Sequence, residues 1–327
     1  MLLSIVVLSY NRPIQLRRIL DHFIGFADNR VKLIIKDDQS PSYEEIEKIF
    51  NYYRSQLEVE CELYRNDKNI GYDLNLWSSF WCFNSDYIFF LSDDDYIKTE
   101  FLSSLLDELS LKKYKFYFTP FIYNGVIGRQ KINTYDKKRF SEVIYNSILF
   151  SGLIFESNAV RNIKISKVEL ENSIYSQVIL SSILIFKTES FGIVRSGILY
   201  VGRDGENYFG KNPSTIEKDK LFDRTLITSN LNYQKYLLSA VAKIASHTES
   251  NIYYLFLKEY KKRLIGYMLK SRALGIKLYL RFMGSFLNSH ARKYRLHLLL
   301  LFIFCLYPAF VSRVLYNIGL KYMRKDD

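Results

Sequence analysis

Leu91-Ser92-Asp93-Asp94-Asp95-Tyr96 sets three consecutive carboxylates directly after the apolar and aromatic run Tyr87-Ile88-Phe89-Phe90. The run has the length and composition of a buried strand. Adjacent carboxylates repel one another unless they are solvated or share a cation. A hard ion such as Mg²⁺ or Mn²⁺ takes oxygens from one or two carboxylates and fills its shell with substrate phosphates. The pattern therefore points to a metal–diphosphate site at a sheet edge, or else to a solvated acidic turn.

The elements that must position these aspartates help to decide. Residues 2–9 read as a strand, and 13–26 show helical spacing through Ile14, Leu16, Ile19, Leu20 and Phe23. A second strand, 31–36, ends in Asp37-Asp38-Gln39-Ser40-Pro41, and Ser42 with Glu45 makes a capping box for a helix over 43–55. Strand 61–64, the turn-rich loop 65–72, a helix over 73–83 and strand 87–91 complete the series. Alternating strands and helices predict a mostly parallel, Rossmann-like sheet with helices on both faces. Such sheets bind ligands at the carboxyl ends of their strands. Tyr10-Asn11-Arg12, Asp37-Asp38 and Asp93-Asp94-Asp95 all fall there. That agreement favours the metal–phosphate reading. Further strands are expected at 115–122, 148–155 and 191–201, extending the sheet and building the acceptor side. From about 215 the pattern is helical, giving an expected division into a catalytic domain, 1–212, and a helical, basic region, 213–327.

The chain of 327 residues is 48% hydrophobic and 16% aromatic with five prolines, which excludes extended disorder. Three scattered cysteines (Cys61, Cys82, Cys305) make neither a disulfide framework nor a zinc site, so a reducing cytosol is expected. The apolar start lacks a preceding basic region and runs straight into Asn11-Arg12-Pro13, so it reads as a strand rather than a signal peptide.

Four segments together resemble the inverting, GT-A-fold glycosyltransferase family 2. They are Ser4–Arg12, Ile34–Ser40, Asn69-Ile70-Gly71-Tyr72-Asp73-Leu74-Asn75 and Phe90–Asp95. The triple aspartate and the Asn-Ile-Gly-Tyr-Asp loop look most like bacterial transferases that build O-antigen or capsule repeats, including abequosyltransferase-like members. The resemblance implies transfer of a sugar from a nucleotide diphosphate, with Mg²⁺ or Mn²⁺, onto a polyprenyl-diphosphate-linked glycan. It places Ser9, Tyr10 and Arg12 at the nucleotide, with the Tyr10 ring against the base. Asp38 would bond the base or ribose beside Asp37. Asn69, Gly71 and Asp73 would close over the nucleotide, although Asp73 also suits a helix N-cap. Asp94 and Asp95 would hold the metal, and Asp93 would serve as a ligand or touch the ribose.

An inverting transferase needs a carboxylate to take the acceptor's proton. The Glu-Asp pair that many relatives carry is missing, which leaves Glu169, Glu171, Glu156 and Asp204 as candidates. Arg203 and Asn207, in the Gly-rich loop around Asp204, could bind acceptor sugar or pyrophosphate. Two other readings stand beside the transferase. One is a nucleotidyltransferase, opposed by the absence of glycine in Leu8–Arg12; the other is a non-catalytic, membrane-bound nucleotide-sugar-binding module.

All of the excess charge of +12 lies in the tail, where Tyr253 to the end carries fifteen Lys/Arg against three Asp/Glu. Residues 296–311 are apolar, fall short of the ~20 needed to span a bilayer and contain Pro308. This predicts a peripheral protein on an anionic membrane surface, with a buried helix as the alternative for 296–311. No nucleic-acid partner is expected. The expected location is the cytoplasmic face of the bacterial inner membrane.

Overall fold

The computed structural model describes residues 1–129, 132, 134–195, 197, 199–202, 224–290 and 292–323. The chain divides into two compact units, 1–205 and 206–327. The sequence-based boundary at 212/213 lies outside the described residues.

In the first unit a seven-stranded sheet takes the order β10-β6-β9-β4-β1-β2-β3. Its strands are β1 (Leu3–Ser9), β2 (Val31–Asp37), β3 (Glu60–Arg65), β4 (Tyr87–Ser92), β6 (Phe116–Phe118), β9 (Leu153–Glu156) and β10 (Gly192–Ile193). β3, β2, β1 and β4 run parallel, whereas β9 is antiparallel to both β4 and β6. β1 is buried along its whole length, as the apolar run Ile5–Leu8 requires of a strand covered on both faces. Its Leu3, Ile5 and Val7 pack with Leu16, Ile19 and Leu20 of α1 (Pro13–Asp21) and Ile46, Ile49 and Phe50 of α2 (Tyr43–Arg54). Each such side chain contributes roughly 1.5–3 kcal/mol of burial. On the other face Phe90 meets Phe80 of α3 (Tyr72–Cys82) edge-on, with ring centroids 5.4 Å apart.

A second sheet, ordered β5-β11-β7-β8, is built from β5 (Tyr96–Ile97), β7 (Phe121–Tyr123), β8 (Val126–Gly128) and β11 (Leu199–Tyr200). The β7–β8 hairpin turns on Asn124-Gly125, both at positive φ (51° and 77°), the pairing that suits its right-handed twist. The helices α4 (Leu102–Ser110), α5 (Phe140–Asn146), α6 (Ser157–Arg161), α7 (Lys167–Leu170) and α8 (Ser176–Thr188) complete this unit.

Several expectations need correction. α1 ends at Asp21 rather than near 26, because the chain turns at Gly25 (φ 77°) and folds Phe23 and Phe26 into the core. Ser42 caps α2 by position but makes no side-chain cap; its hydroxyl donates instead to Asn11 Oδ1 at 2.8 Å. The strand expected over 115–122 is two strands in different sheets, broken at Thr119-Pro120, where proline has no N–H to continue a ladder. Residues 191–201 likewise divide between the sheets, and 148–155 forms a strand only from Leu153.

The second unit comprises α9 (Arg224–His247), α10 (Asn251–Leu274), α11 (Ile276–Ser289), α12 (Arg292–Phe304) and α13 (Ala309–Met323). Tyr253 stacks on Tyr294 at 3.8 Å, the Tyr279 hydroxyl donates to the Phe302 carbonyl, and Lys270 lies over the Tyr316 ring at 4.6 Å. Among the described residues no single helix is long and apolar enough to cross a membrane. Tyr294–Phe304 and Ala309–Ile318 pass that test only as a pair, bent by 99°.

Candidate active site

The parallel register aligns Ser9 with Asp37 and Leu8 with Ser92, so three loops leave the sheet at one edge. Side chains and backbone then tie those loops together. The Tyr10 N–H donates to Asp93 Oδ2 at 3.3 Å, and Asp38 N–H to the Ser9 carbonyl at 3.0 Å. Arg12 Nη1 lies 3.1 Å from Asp93 Oδ1 and 3.4 Å from Asp94 Oδ2, bridging both carboxylates. Ser9 is buried at the strand end, whereas Tyr10 is exposed.

The acidic triplet is buried. Burial pushes Asp93 up to about 7, against the pull of the Arg12 guanidinium and with Asp94 adding to the rise. Burial and the Asp94 carboxylate push Asp95 upward as well. Asp94 Oδ1 accepts from the Ser92 hydroxyl at 2.6 Å, and its carbonyl accepts from Arg18. Asp95 Oδ1 accepts the Gly202 N–H at 2.8 Å. A Cβ on Gly202 would stand 1.8 Å from the Asp94 carbonyl oxygen, so that position tolerates glycine alone without a shift.

The donor set fits a hard divalent ion. It is all oxygen, it is desolvated, and its charge is in excess of the neighbouring Arg12. Among the described residues no three or more carboxylate, histidine or cysteine groups are placed together to hold a metal ion by themselves.

Asp37 accepts the Ser40 N–H at 2.9 Å and the Ser40 hydroxyl, fixing the turn after β2. Asp38 is tied to the loop before α3. Its Oδ1 accepts from Ile70 N–H (2.9 Å) and the Asn66 amide (2.8 Å), and its Oδ2 from Gly71 N–H (2.9 Å). Three of about four acceptor positions are thus used, leaving room for one ligand donor. Asn69 is exposed on that loop, its Oδ1 accepting from Gly71 N–H at 3.0 Å, and Gly71 holds φ 76°.

The N-cap expected at Asp73 falls earlier in the chain. Gly71, not Asp73, is the N-cap of α3. The buried Asp73 carboxylate instead clasps the segment entering α8, accepting from Ser173 Oγ (3.1 Å), Ile174 N–H (2.9 Å) and Ser176 N–H (3.3 Å). Asn172 and Ile174 there hold φ 57° and 65°. A β-branched residue in that region carries roughly 1–2 kcal/mol of strain, of the kind that gathers at functional loops.

The candidate bases separate. Glu169 forms a capping box with Ser166, its Oε2 accepting the Ser166 N–H at 2.9 Å and hydroxyl at 2.7 Å. Glu156 caps α6 through the Ala159 N–H at 2.7 Å. It also pairs in register with Tyr87, at the start of β4, and so lies at the opposite sheet edge from the aspartates. Glu171 is exposed, two residues before the clasped segment. Asp204, Arg203 and Asn207 lie outside the described residues.

Arg129 and Ser151 were not foreseen. Fully buried Arg129 donates through Nε to the Asn146 carbonyl (2.9 Å), through Nη1 to those of Thr119 and Ser151 (2.9 Å each) and through Nη2 to that of Leu149. Burial pulls its guanidinium down to about 9, still charged at neutral pH, with Asp95 raising it. Ser151, fixed by this gathering, accepts the Ser92 N–H at 2.8 Å and bonds Asp95. Arg129's partners are carbonyls, which leave no trace in a sequence. Asn124-Gly125 announces the hairpin that carries it.

Residues 4–165 match the family model Glycosyl transferase family 2. The structure is similar to TarS 1-349 of S. aureus in complex with UDP-GlcNAc, at 15% identity and TM-score 0.51, covering 98% of this chain and 92% of that one. It is also similar to the mannosyltransferase PcManGT of Pyrobaculum calidifontis in complex with GDP-Man and Mn²⁺, at 9% identity and TM-score 0.53, covering 97% and 84%. These likenesses establish the fold, GT-A with a helical C-terminal region. No curated protein sequence matches the chain.

Proposed function

We propose that this chain is an inverting glycosyltransferase that takes its sugar from a nucleoside diphosphate and places it on a lipid-linked glycan of a bacterial O-antigen or capsule. The observation that carries the donor reading is the meeting of the Tyr10, Asp38 and Asp93–Asp95 segments at one sheet edge, joined by Arg12. The family match over 4–165 supports the activity class. The triple aspartate and the Asn-Ile-Gly-Tyr-Asp loop, by their resemblance to O-antigen and capsule transferases, support the acceptor class.

In this reading Tyr10 stacks on the base, and Asp38 uses its remaining acceptor position for the base or ribose. Asp94 and Asp95 hold Mg²⁺ or Mn²⁺, with Asp93 beside them. When bound, the ion neutralises the diphosphate and stabilises it as a leaving group. Arg12 adds a fixed positive charge next to the same phosphates. Glu171 takes the acceptor proton: its carboxylate is exposed on the strained approach to α8, whereas that of Glu169 is committed to Ser166.

The test is calorimetry with UDP-, GDP-, CDP- and dTDP-sugars, with and without Mn²⁺, followed by product analysis on polyprenyl-diphosphate glycans. Metal-dependent binding of one donor and release of its nucleotide with an inverted linkage are expected. Binding without turnover would favour a non-catalytic module, and nucleotide transfer with pyrophosphate release a nucleotidyltransferase.

A further inference from the structure

The second unit shows an apolar surface that its own helices leave uncovered. Leu300 is 56% exposed, Phe304 61%, Leu306 51%, Phe310 71% and Val314 54%, on the end of α12, the break and the start of α13. Leu280, 45% exposed, belongs to the same end. Its neighbour Tyr279 touches Phe302, with ring centroids 5.5 Å apart, which sets the first turns of α11 beside the last turn of α12. Lys270 over Tyr316 sets the end of α10 beside α13. The end of α10, the start of α11 and the end of α12 therefore lie close together, with the middle of α13 against α10, and the exposed apolar side chains stand on α11, α12, the break and α13.

Charge identifies what covers them. Between Tyr260 and Lys325 the sequence has no Asp or Glu. Lys277 and Arg281 are exposed on α11 next to Leu280, and Arg313 is exposed on α13 next to Val314. A protein partner would need an acidic surface with a large apolar centre. An anionic bilayer offers both at once: acyl chains beneath a negative headgroup layer. The 99° bend between the two apolar helices is incompatible with a straight crossing and lets both lie near the headgroup plane.

We propose that this end of the second unit docks on an anionic lipid surface, with the bent α12–α13 pair embedded at the headgroup–acyl boundary. The inference concerns a partner beyond the donor site and does not depend on the donor chemistry.

The experiment uses the full chain in vesicle flotation, with phosphatidylcholine alone and with phosphatidylcholine mixed with phosphatidylglycerol, alongside donor calorimetry. Binding to the mixed vesicles is expected. It falls about tenfold or more in the combined variant Leu300→Ser, Phe304→Ser, Phe310→Ser, which removes buried apolar contact. In Lys277→Glu, Arg281→Glu the preference for phosphatidylglycerol falls roughly tenfold, while donor binding is unchanged in both variants. Absence of vesicle binding by the native chain would overturn the proposal, as would equal binding by the apolar variant. A native dimer that this variant converts to monomer, without loss of lipid affinity, would assign the face to a second copy instead. Loss of donor binding in the native chain would count against the transferase reading and leave vesicle binding intact.

Discussion

Asp73→Ala separates a clasp from a nucleotide ligand. Its carboxylate satisfies the N–H groups of half-buried Ile174 and buried Ser176 and the Ser173 hydroxyl. Each orphaned buried donor costs roughly 1–3 kcal/mol, so two backbone N–H groups give about 2–6 kcal/mol. Relaxation of Ile174 from φ 65° returns roughly 1–2 kcal/mol, for a net loss of roughly 0–5 kcal/mol, centred on about 2–3 kcal/mol. In a unit of this size each kcal/mol moves the melting midpoint by about 2–4 °C, so a fall of about 4–12 °C is expected from the central figure. Thermal unfolding by circular dichroism measures it, and calorimetry on the folded variant measures donor affinity, which the clasp reading leaves largely intact. Ser173→Ala, which removes one exchangeable hydroxyl donor, shifts the midpoint far less. A variant that melts like the native protein yet binds no nucleotide sugar would refute the reasoning and return Asp73 to the donor.

Asp94→Asn and Asp95→Asn are expected to fold, by circular dichroism, and to lower the transfer rate by roughly 100-fold or more, since each removes a charge from the leaving-group site. Asp93 sits at about 7 against an ordinary 3.8, so the folded state holds its proton more tightly than the unfolded chain. Stability therefore falls as pH rises from about 4 to about 7, and added Mn²⁺ reduces that fall; melting scans at both ends of the window, with and without the ion, check it. Asp38→Ala frees the N–H groups of Ile70 and Gly71, so the 66–71 amides exchange faster with deuterium and donor affinity drops. Gly202→Ala drives a methyl against the Asp94 carbonyl and costs roughly 1–3 kcal/mol, read as a lower melting midpoint.

The parallel half of the sheet was legible because β1, β2 and β4 are built on apolar runs (Ile5–Leu8, Leu33–Ile35 and Tyr87–Leu91) that lead into polar clusters. Buried parallel strands must read that way, and their ends must face one edge. The acceptor half was blurred. Its strands are two to four residues long, too short for periodicity to register, and Pro120 divides one run between two sheets. Ser42-x-x-Glu45 and Ser166-x-x-Glu169 have the same spacing, yet only the second closes as a capping box. At the first, Asn11 competes for the serine, a contact 31 residues away that local pattern does not contain. The Asp73 clasp escaped local pattern for the same reason, since its partners lie about 100 residues downstream.

The guanidinium of Arg129 spends its hydrogen bonds on four main-chain oxygens, from residues 119, 146, 149 and 151. Its grip thus reads the path of the chain and is indifferent to which side chains occupy those four positions. Sequences sharing this design are free to diverge there while keeping the arginine. Lysine is no substitute, because one ammonium has three protons and no planar fork to reach four separate carbonyls.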